Sequence, residues 1–406
     1  MNYQKICEDV RLKLKLSQRA KNLKPSPTLA VTARAAELKA AGKDIIGLGA
    51  GEPDFDTPDH IKTAAIHAIE QGLTKYTAVD GTPEIKQAII KKFKRDNGIN
   101  YFTDQILVSC GGKHSFYNLC QALIEDGDEV IIPAPYWVSY PPMVELANGT
   151  PVIISAPAEQ GFKITAEQLE NSITNKTRML VLNSPSNPTG AVYSEDELKQ
   201  LAEVLKKHPN ILVVSDDIYE AIVWNTKPYC NILTVAPELY EQTIILNGVS
   251  KAYSMTGWRI GYAAGPAPLI KAMKTIQSQS TSNPASISQA ASAAALAGDQ
   301  ACISTMLQAF HERHDLVHPK LNALPGVSCN PAQGAFYLFP DFSEAIAATE
   351  GVNNDVEMAA YLLEQAGVAL VPGSAFGAPG FQRLSFATSL ENLNEALNRL
   401  NNALSS

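Results

Sequence analysis

Lys251 lies in a stretch that is rich in small and special residues, SKAYSMTGWRIGY from Ser250 to Tyr262. A lysine that forms an imine with a carbonyl group must lose its proton near neutral pH, and burial or a neighbouring cation lowers its pKa enough for this. Arg259 follows in the same stretch and can supply the cation. A single lysine is more often solvated on a polar turn, so the assignment of a reactive lysine depends on other segments.

Three predicted strands end next to polar side chains. The strands are predicted over 179–183, from 211 to about 215, and over 243–249. The polar residues that follow them are Asn187, Asp216, Tyr219, Ser250 and Lys251. Ligands bind at the carboxyl ends of the strands in open parallel sheets, so these side chains are expected to meet at one edge.

A glycine turn gives a second kind of site. A predicted strand at 106–109 leads into Gly111, Gly112 and Lys113, and a helix is predicted from about 114 to 125. The free N–H groups and the dipole at a helix N-terminus favour an anion such as phosphate. Glycines after a strand also occur in ordinary tight turns, and the spacing is not that of a nucleotide-binding P-loop.

An amine, a carboxylate, hydroxyl and amide donors and a phosphate cradle are the groups that pyridoxal 5′-phosphate requires. Together with the motifs around them, they make the chain resemble the class I pyridoxal-phosphate-dependent aminotransferases, in particular the bacterial aspartate and aspartate/prephenate type. The resemblance runs from about Lys24 to the C-terminus. Its motifs are AGEPDFDTP at 50–58, TKY at 74–76, PYWVSY at 135–140, NPTG at 187–190, the stretch from Lys251 to Arg259, and RLSFAT at 383–388.

The resemblance implies a role for each matching cofactor residue. Lys251 resembles the covalent anchor and general base, Asp216 the partner of the pyridine nitrogen, and Asn187 and Tyr219 the pair that contacts the ring hydroxyl. The implied catalytic residues are therefore Lys251, Asp216 and Tyr219. Asp217 stands where relatives commonly carry Glu, and Asp216 is preferred because it keeps the three-residue spacing to Tyr219.

The resemblance also implies the rest of the cofactor site. Trp137 matches the aromatic residue that stacks on the pyridine ring, although a single Trp is more often core. The implied phosphate contacts are Gly111, Gly112, Lys113, Ser250 and Arg259. Tyr76 matches a tyrosine that reaches the phosphate of the neighbouring subunit, which implies a homodimer with shared active sites.

Arg383 resembles the arginine that binds the substrate α-carboxylate with two parallel hydrogen bonds, and Gly51 the backbone beside it. Trp137 and Asn187 also belong to the implied substrate site. The segment 277–284 lacks the arginine that another subgroup uses for a distal carboxylate. A lysine at the position of Lys113 takes that role in the resembling subgroup, and Lys24 matches a lysine associated with prephenate.

The predicted function is transamination between L-aspartate and 2-oxoglutarate, which gives oxaloacetate and L-glutamate by ping-pong kinetics. The match at Lys24 adds prephenate to arogenate as a second reaction, which would be a step of amino-acid biosynthesis. Two alternatives keep Lys251, Asp216 and Arg383 on the same fold. They are an aminotransferase for aromatic or neutral amino acids, and a carbon–sulfur lyase.

The length of 406 residues exceeds the roughly 250 to 300 at which single cores stop growing, so at least two domains are expected. Strand and helix signals alternate from 59 to 298, which predicts a large α/β domain. The resemblance implies fold type I, with a mostly parallel seven-stranded sheet. Residues 1–58 and 299–406 are expected to form a smaller α+β domain that carries Arg383.

Composition limits the possible partners and location. The net charge of −8 argues against nonspecific nucleic-acid binding, and no run approaches the roughly 18 apolar residues of a membrane span. The six cysteines lack paired spacing, which predicts reduced thiols and a cytoplasmic location. His311 and His314 are more typical of a helix surface than of a zinc site. Amino acids and 2-oxo acids are the expected small-molecule partners, and no metal is expected.

Overall fold

A computed structural model of the chain describes residues 15–23, 27–224 and 229–405. The strands, numbered in chain order, are β1 (Ile46–Gly47), β2 (Ile106–Ser109), β3 (Glu129–Ala134), β4 (Thr150–Ser155), β5 (Thr177–Asn183), β6 (Leu212–Asp216), β7 (Thr243–Gly248), β8 (Gly261–Ala264), β9 (Tyr337–Leu338), β10 (Val368–Ala369), β11 (Val371–Pro372) and β12 (Gln382–Ser385).

The α-helices of the described residues are α1 (Gln18–Asn22), α2 (Pro27–Ala40), α3 (Asp59–Glu70), α4 (Pro83–Lys92), α5 (Gly112–Leu123), α6 (Tyr140–Leu146), α7 (Ala166–Ser172), α8 (Glu195–Leu205), α9 (Ile232–Val235), α10 (Ala267–Ser278), α11 (Ser286–Ala297), α12 (Ala301–Leu321), α13 (Ser343–Ala348), α14 (Asp355–Tyr361) and α15 (Leu390–Leu404). Single π-helical turns follow α4 and α14, at Phe93–Asn97 and Leu362–Ala366. Short 3-10 turns lie at Thr103–Gln105, Ala158–Gln160, Pro237–Gln242, Thr256–Trp258 and Gly373–Phe376.

Seven strands form the main sheet, in the order β2-β8-β7-β6-β5-β3-β4. Strand β8 is antiparallel to both of its neighbours, and the other neighbouring pairs are parallel. The expected mostly parallel seven-stranded sheet is therefore confirmed. The carboxyl ends of β5, β6 and β7 lie side by side, since Asn183 pairs with Asp216 and Asp216 with Leu246.

Both faces of the main sheet are buried, which explains why its strands are continuous apolar runs. Side chains alternate between the faces, so that Leu180 and Leu182 of β5 pack into one apolar cluster while Met179 and Val181 pack into another. Helices cover each face. Helix α8, for example, begins at a capping box in which Ser194 accepts from the N–H of Glu197.

A separate apolar cluster joins the two ends of the described chain. It contains Ile46 and Leu48 together with residues from 306 to 400. Strand β1 pairs in parallel with β10, and the N–H of Ser385 donates to the carbonyl of Leu48. The second sheet, β11-β12-β9, is antiparallel. The domain division at residues 58 and 298 remains a prediction, although this cluster agrees with it.

The predicted strands at 106–109, 179–183, 211–215 and 243–249 exist within about two residues of their expected ends. The predicted helix at 114–125 lies two residues earlier, at Gly112–Leu123, because the chain turns directly into α5 at the two glycines. In the part of the chain that is described, none of the helices has the combined length and apolar character that crossing a bilayer requires.

Candidate active site

Lys251 lies in the turn after β7 and borders a cavity of about 510 Å³ at the carboxyl ends of the parallel strands. Its Nζ donates to the carbonyl of Gly51, which comes from the N-terminal part of the chain. Burial lowers the pKa of Lys251 to about 8, and Arg383 and Arg259 act in the same direction. The charge of Glu52 opposes the shift. In a fraction of the protein molecules, the amine of Lys251 is therefore unprotonated near neutral pH.

Asp216 ends β6 and borders the same cavity. Its Oδ2 accepts a hydrogen bond from the hydroxyl of Tyr140 at 2.5 Å, and burial raises the pKa of Asp216 to about 6. The next carboxylate, Asp217, points away from the cavity and accepts from Ser215 Oγ (2.6 Å) and Asn231 Nδ2 (2.7 Å). Of the two neighbouring aspartates, Asp216 is thus the one that can contact a ligand.

Arg383, on β12, is only 2% exposed. It donates from Nη1 to Asn187 Oδ1 (2.9 Å) and from Nη2 to the carbonyl of Gly49 (2.7 Å). Its guanidinium carbon lies 4.6 Å from the ring centre of Tyr337 and 5.1 Å from that of Phe376. Its Nε has no hydrogen-bond partner, and no carboxylate of the described residues pairs with it. A buried cation with an unused N–H is a strong candidate to bind an anion.

Tyr219 follows β6 and is buried beside Arg383 and Asp216. Its hydroxyl lies 2.9 Å from that of Tyr337, and either oxygen can donate. Burial raises the pKa of both phenols, so both are protonated at neutral pH. Tyr219 can therefore donate into the cavity when Tyr337 donates to it.

An anion cradle lies at the start of α5. Gly111 has φ +91°, and a Cβ there would lie 2.5 Å from Arg259 Nη2, so only glycine allows this approach. Arg259 itself has φ +56° and donates to the carbonyl of Thr256 at 2.8 Å. Burial and the neighbouring Arg259 lower the pKa of Lys113. Two cations next to a helix N-terminus make this turn a place for a phosphate or carboxylate.

Trp137 presents its ring to this cation pair, with Lys113 Nζ at 5.2 Å from the ring centre. The indole packs edge-on against Tyr140, at 5.2 Å between ring centres. The side chain borders the cavity. A flat aromatic ligand can therefore stack there.

The cavity brings together most of the residues that the sequence singled out. They are Gly51, Gly112, Lys113, Trp137, Asn187, Asp216, Tyr219, Ser250, Lys251, Arg259 and Arg383. Gly111 contributes by its close approach to Arg259 rather than by lining the cavity. Tyr76 is 92% exposed and lies outside the cavity of its own chain. Lys24 lies outside the described residues.

Several lining residues received no role from the sequence, among them Glu52, Tyr140, Asn183 and Tyr337. Glu52 Oε2 accepts from Thr256 Oγ1 at 2.7 Å, and Asn183 Oδ1 accepts from the N–H of Asn187 at 2.9 Å. Tyr140 belongs to the PYWVSY motif, three residues after Trp137, which could have indicated it. Tyr337 lies in an apolar and aromatic run that is typical of a buried core, so the local sequence does not indicate that it lines a site.

Comparison with known proteins agrees with the fold and the cavity. The family described as aminotransferase class I and II matches residues 43–400. This match covers most of the chain, and the chain belongs to the class I and II aminotransferases. The family predicted from the sequence is confirmed.

Within this family, the relatives most similar to the chain include aspartate and aspartate/prephenate aminotransferases. An aspartate/prephenate aminotransferase of Nitrosomonas europaea is 58% identical and covers 97% of this chain and 100% of its own length. An aspartate aminotransferase of Bacillus subtilis is 52% identical, and the match covers 95% of this chain and 98% of the relative's length. The crystal structure of the aspartate aminotransferase from Rhizobium meliloti has a TM-score of 0.93 at 49% identity, covering 97% and 99%. The structure of the aspartate aminotransferase from Thermus thermophilus with maleate has a TM-score of 0.91 at 44% identity. The match covers 96% of this chain and 100% of that one.

Proposed function

We propose that this aminotransferase uses pyridoxal 5′-phosphate to exchange the amino group of L-aspartate with 2-oxoglutarate. One observation supports the proposal above the others. A lysine with a lowered pKa and a buried arginine without a carboxylate partner border the same cavity. The first can react with a carbonyl group or carry a proton, and the second can hold a carboxylate.

The donor set of the cavity fits the cofactor. Asp216 can keep the pyridine nitrogen protonated, since a carboxylate favours a neighbouring positive charge. Asn187 and Tyr219 can contact the ring hydroxyl, and Trp137 offers a face for stacking. The turn at Gly111 and Gly112, with Lys113, Ser250 and Arg259, can hold the phosphate. When bound, pyridoxal phosphate supplies a carbonyl for the amine and a ring that accepts electrons.

Lys251 has two proposed roles in this site. Its Nζ anchors the cofactor, and once displaced it can remove the proton from the α-carbon of the substrate. A pKa of about 8 suits this second role, because a base works best when its pKa lies near the working pH. Alternation between an amino acid and an oxo acid at one site gives ping-pong kinetics.

Substrate choice is proposed to depend on two cations. Arg383 binds the α-carboxylate beside the backbone of Gly51, and Lys113 attracts the distal carboxylate of aspartate or glutamate. The names of the relatives support dicarboxylic substrates over neutral or aromatic amino acids and over carbon–sulfur cleavage.

Prephenate is a second proposed amino acceptor, because the Nitrosomonas europaea relative carries that name. Lys24 is the residue proposed to favour it. Formation of arogenate from prephenate and an amino donor would show this activity directly, and its absence would remove prephenate from the proposal.

A homodimer is also proposed, with Tyr76 of each subunit reaching the phosphate site of the other. The exposure of Tyr76 supports this, since a side chain that is 92% exposed has little contact with its own subunit and is free to reach another. Sedimentation should give twice the mass of the chain, and a monomer would contradict the proposal. The cytoplasmic location remains a proposal that rests on the cysteine pattern.

The covalent role of Lys251 has a direct test. The protein loaded with pyridoxal phosphate should absorb in the near-visible range, and borohydride reduction followed by peptide mapping should place the cofactor mass on Lys251. Lys251→Ala should lose both signals because it removes the amine that is proposed to anchor the cofactor. Lys271→Ala, an exposed lysine of α10, is the matched control and should keep both. Mass on another lysine would contradict the assignment.

A further inference from the structure

Tyr337 connects two parts of the cavity that have different roles. It begins β9, where it pairs with Ser385 of the antiparallel strand β12. Arg383 lies two residues from Ser385, so Tyr337 and Arg383 are diagonal neighbours on one face of the sheet. The register of two short strands therefore brings the tyrosine ring under the guanidinium.

The ring and the hydroxyl of Tyr337 contact different residues. The ring centre lies 4.6 Å from the guanidinium carbon of Arg383, close enough for a cation–π interaction. The hydroxyl lies 2.9 Å from that of Tyr219. A Cβ on Gly51 would lie 3.2 Å from the same hydroxyl oxygen. Tyr337 is fully buried, so these contacts fix its orientation.

We propose that Tyr337 is a positioning residue with two separable parts: its ring orients Arg383 for the substrate carboxylate, and its hydroxyl fixes the hydroxyl of Tyr219. The inference rests on the proposed function and adds a residue to it. Tyr337 would therefore affect two things at once: the orientation of Arg383, which is proposed to bind the substrate carboxylate, and that of the Tyr219 hydroxyl beside the cofactor.

Each part has a geometric reason. Two hydrogen bonds hold the Nη atoms of Arg383 while its Nε has no partner, and the rings of Tyr337 and Phe376, 4.6 and 5.1 Å from the guanidinium carbon, restrict its tilt further. The hydroxyl of Tyr219 has Tyr337 as its hydrogen-bond partner among the described side chains. When Tyr337 donates this bond, the proton of Tyr219 is free to point into the cavity.

Two substitutions separate the parts. Tyr337→Phe keeps the ring and removes the hydroxyl, whereas Tyr337→Leu removes both. Binding of succinate, a dicarboxylate without an amino group, is measured by calorimetry on the loaded protein. The pH midpoint of the cofactor absorbance is measured on the same samples. Tyr193→Phe removes an equally buried hydroxyl that accepts only from the N–H of Ile164, and serves as the control.

We expect Tyr337→Phe to keep the succinate dissociation constant within about twofold, and Tyr337→Leu to raise it about tenfold or more. Tyr337→Phe should shift the absorbance midpoint in the same direction as Tyr219→Phe. The double variant should shift no further than Tyr219→Phe alone, because the hydroxyl acts through Tyr219. The control should change neither quantity.

If Tyr337→Phe weakened the binding of succinate as much as Tyr337→Leu does, the proposed role of the ring would be overturned. An unmoved midpoint in Tyr337→Phe would overturn the role of the hydroxyl. Thermal shifts by succinate on the cofactor-free protein repeat the comparison without the cofactor. They test the ring even if the leucine variant loads poorly. Failure of the proposed function would appear differently, as an unaltered protein that takes up no pyridoxal phosphate.

Discussion

The residues of this cavity hold charge where burial disfavours it. Arg383 is buried without a carboxylate partner, Lys251 has a lowered pKa, and Asp216 has a raised one. Burial is the largest cause in each case. Such sites reduce the stability of the empty protein and regain free energy when ligands of the opposite charge bind.

The loss of folding stability that comes from burying a charge can be measured at Asp216. Its folded pKa of about 6 lies above the ordinary value of 3.8, so the folded state binds a proton more tightly than the unfolded state between those values. Stability therefore falls as pH rises from about 4 to about 6. The shift corresponds to about 3 kcal/mol at most. Because one side of the carboxylate borders the cavity, we expect about 1 to 2 kcal/mol.

Asp216→Asn should therefore stabilise the cofactor-free protein by about 1 to 2 kcal/mol at pH 7.5, and the gain should be smaller at pH 4.5, where the folded carboxyl of the parent protein is mostly protonated. Urea unfolding at both pH values measures it. Asp126→Asn, which changes an exposed aspartate, should stay within about 0.5 kcal/mol of the parent protein. A gain that grows as the pH falls would contradict the account.

The secondary structure elements were the part of the fold that the sequence predicted best. Strands β2, β5, β6 and β7 are apolar runs buried on both faces, and their periods and bounding turns were readable. Strand β9 has only two residues, too few for a hydrophobic period to show. The role of Tyr337 depends on which residue of β12 pairs with it, and register between distant short strands is not a local property.

Helix α3 gives a prediction about assembly. It buries Ile61, Ala65 and Ala68 but exposes Ile66 and Ile69. The following Leu73 and Tyr76 are also exposed, so an apolar surface continues beyond the helix. Apolar surface of this extent is typical of a protein–protein interface.

If α3 forms the interface of the proposed homodimer, Ile69→Asp should weaken the dimer, because a charge at the interface must lose its water. Sedimentation at micromolar concentration should show a larger monomer fraction than in the parent protein. Val356→Asp places the same charge on an exposed apolar residue of α14 and should leave the dimer intact. Equal dissociation by both variants would argue against α3 as the interface.

At the scale of the whole molecule, the cavity draws on distant parts of the chain. Gly51 comes from the N-terminal segment, Lys113 from the start of α5, Lys251 from the turn after β7, and Arg383 from the second sheet. The resemblance to a family allowed these residues to be named from the sequence, since each stands in a motif. Tyr337 and Glu52 were missed because their partners, Tyr219 and Thr256, are distant in the sequence. Asn183 was missed although its contact with the N–H of Asn187 is local.

Exchange of amino groups by dicarboxylic substrates tests the central claim most directly. L-aspartate, L-glutamate and L-alanine are added separately to the protein loaded with pyridoxal phosphate, and the cofactor absorbance is followed. We expect aspartate and glutamate to remove the absorbance, and oxaloacetate or 2-oxoglutarate to restore it, because Arg383 and Lys113 are proposed to bind the two carboxylates. Removal by alanine or by an aromatic amino acid alone would contradict the account.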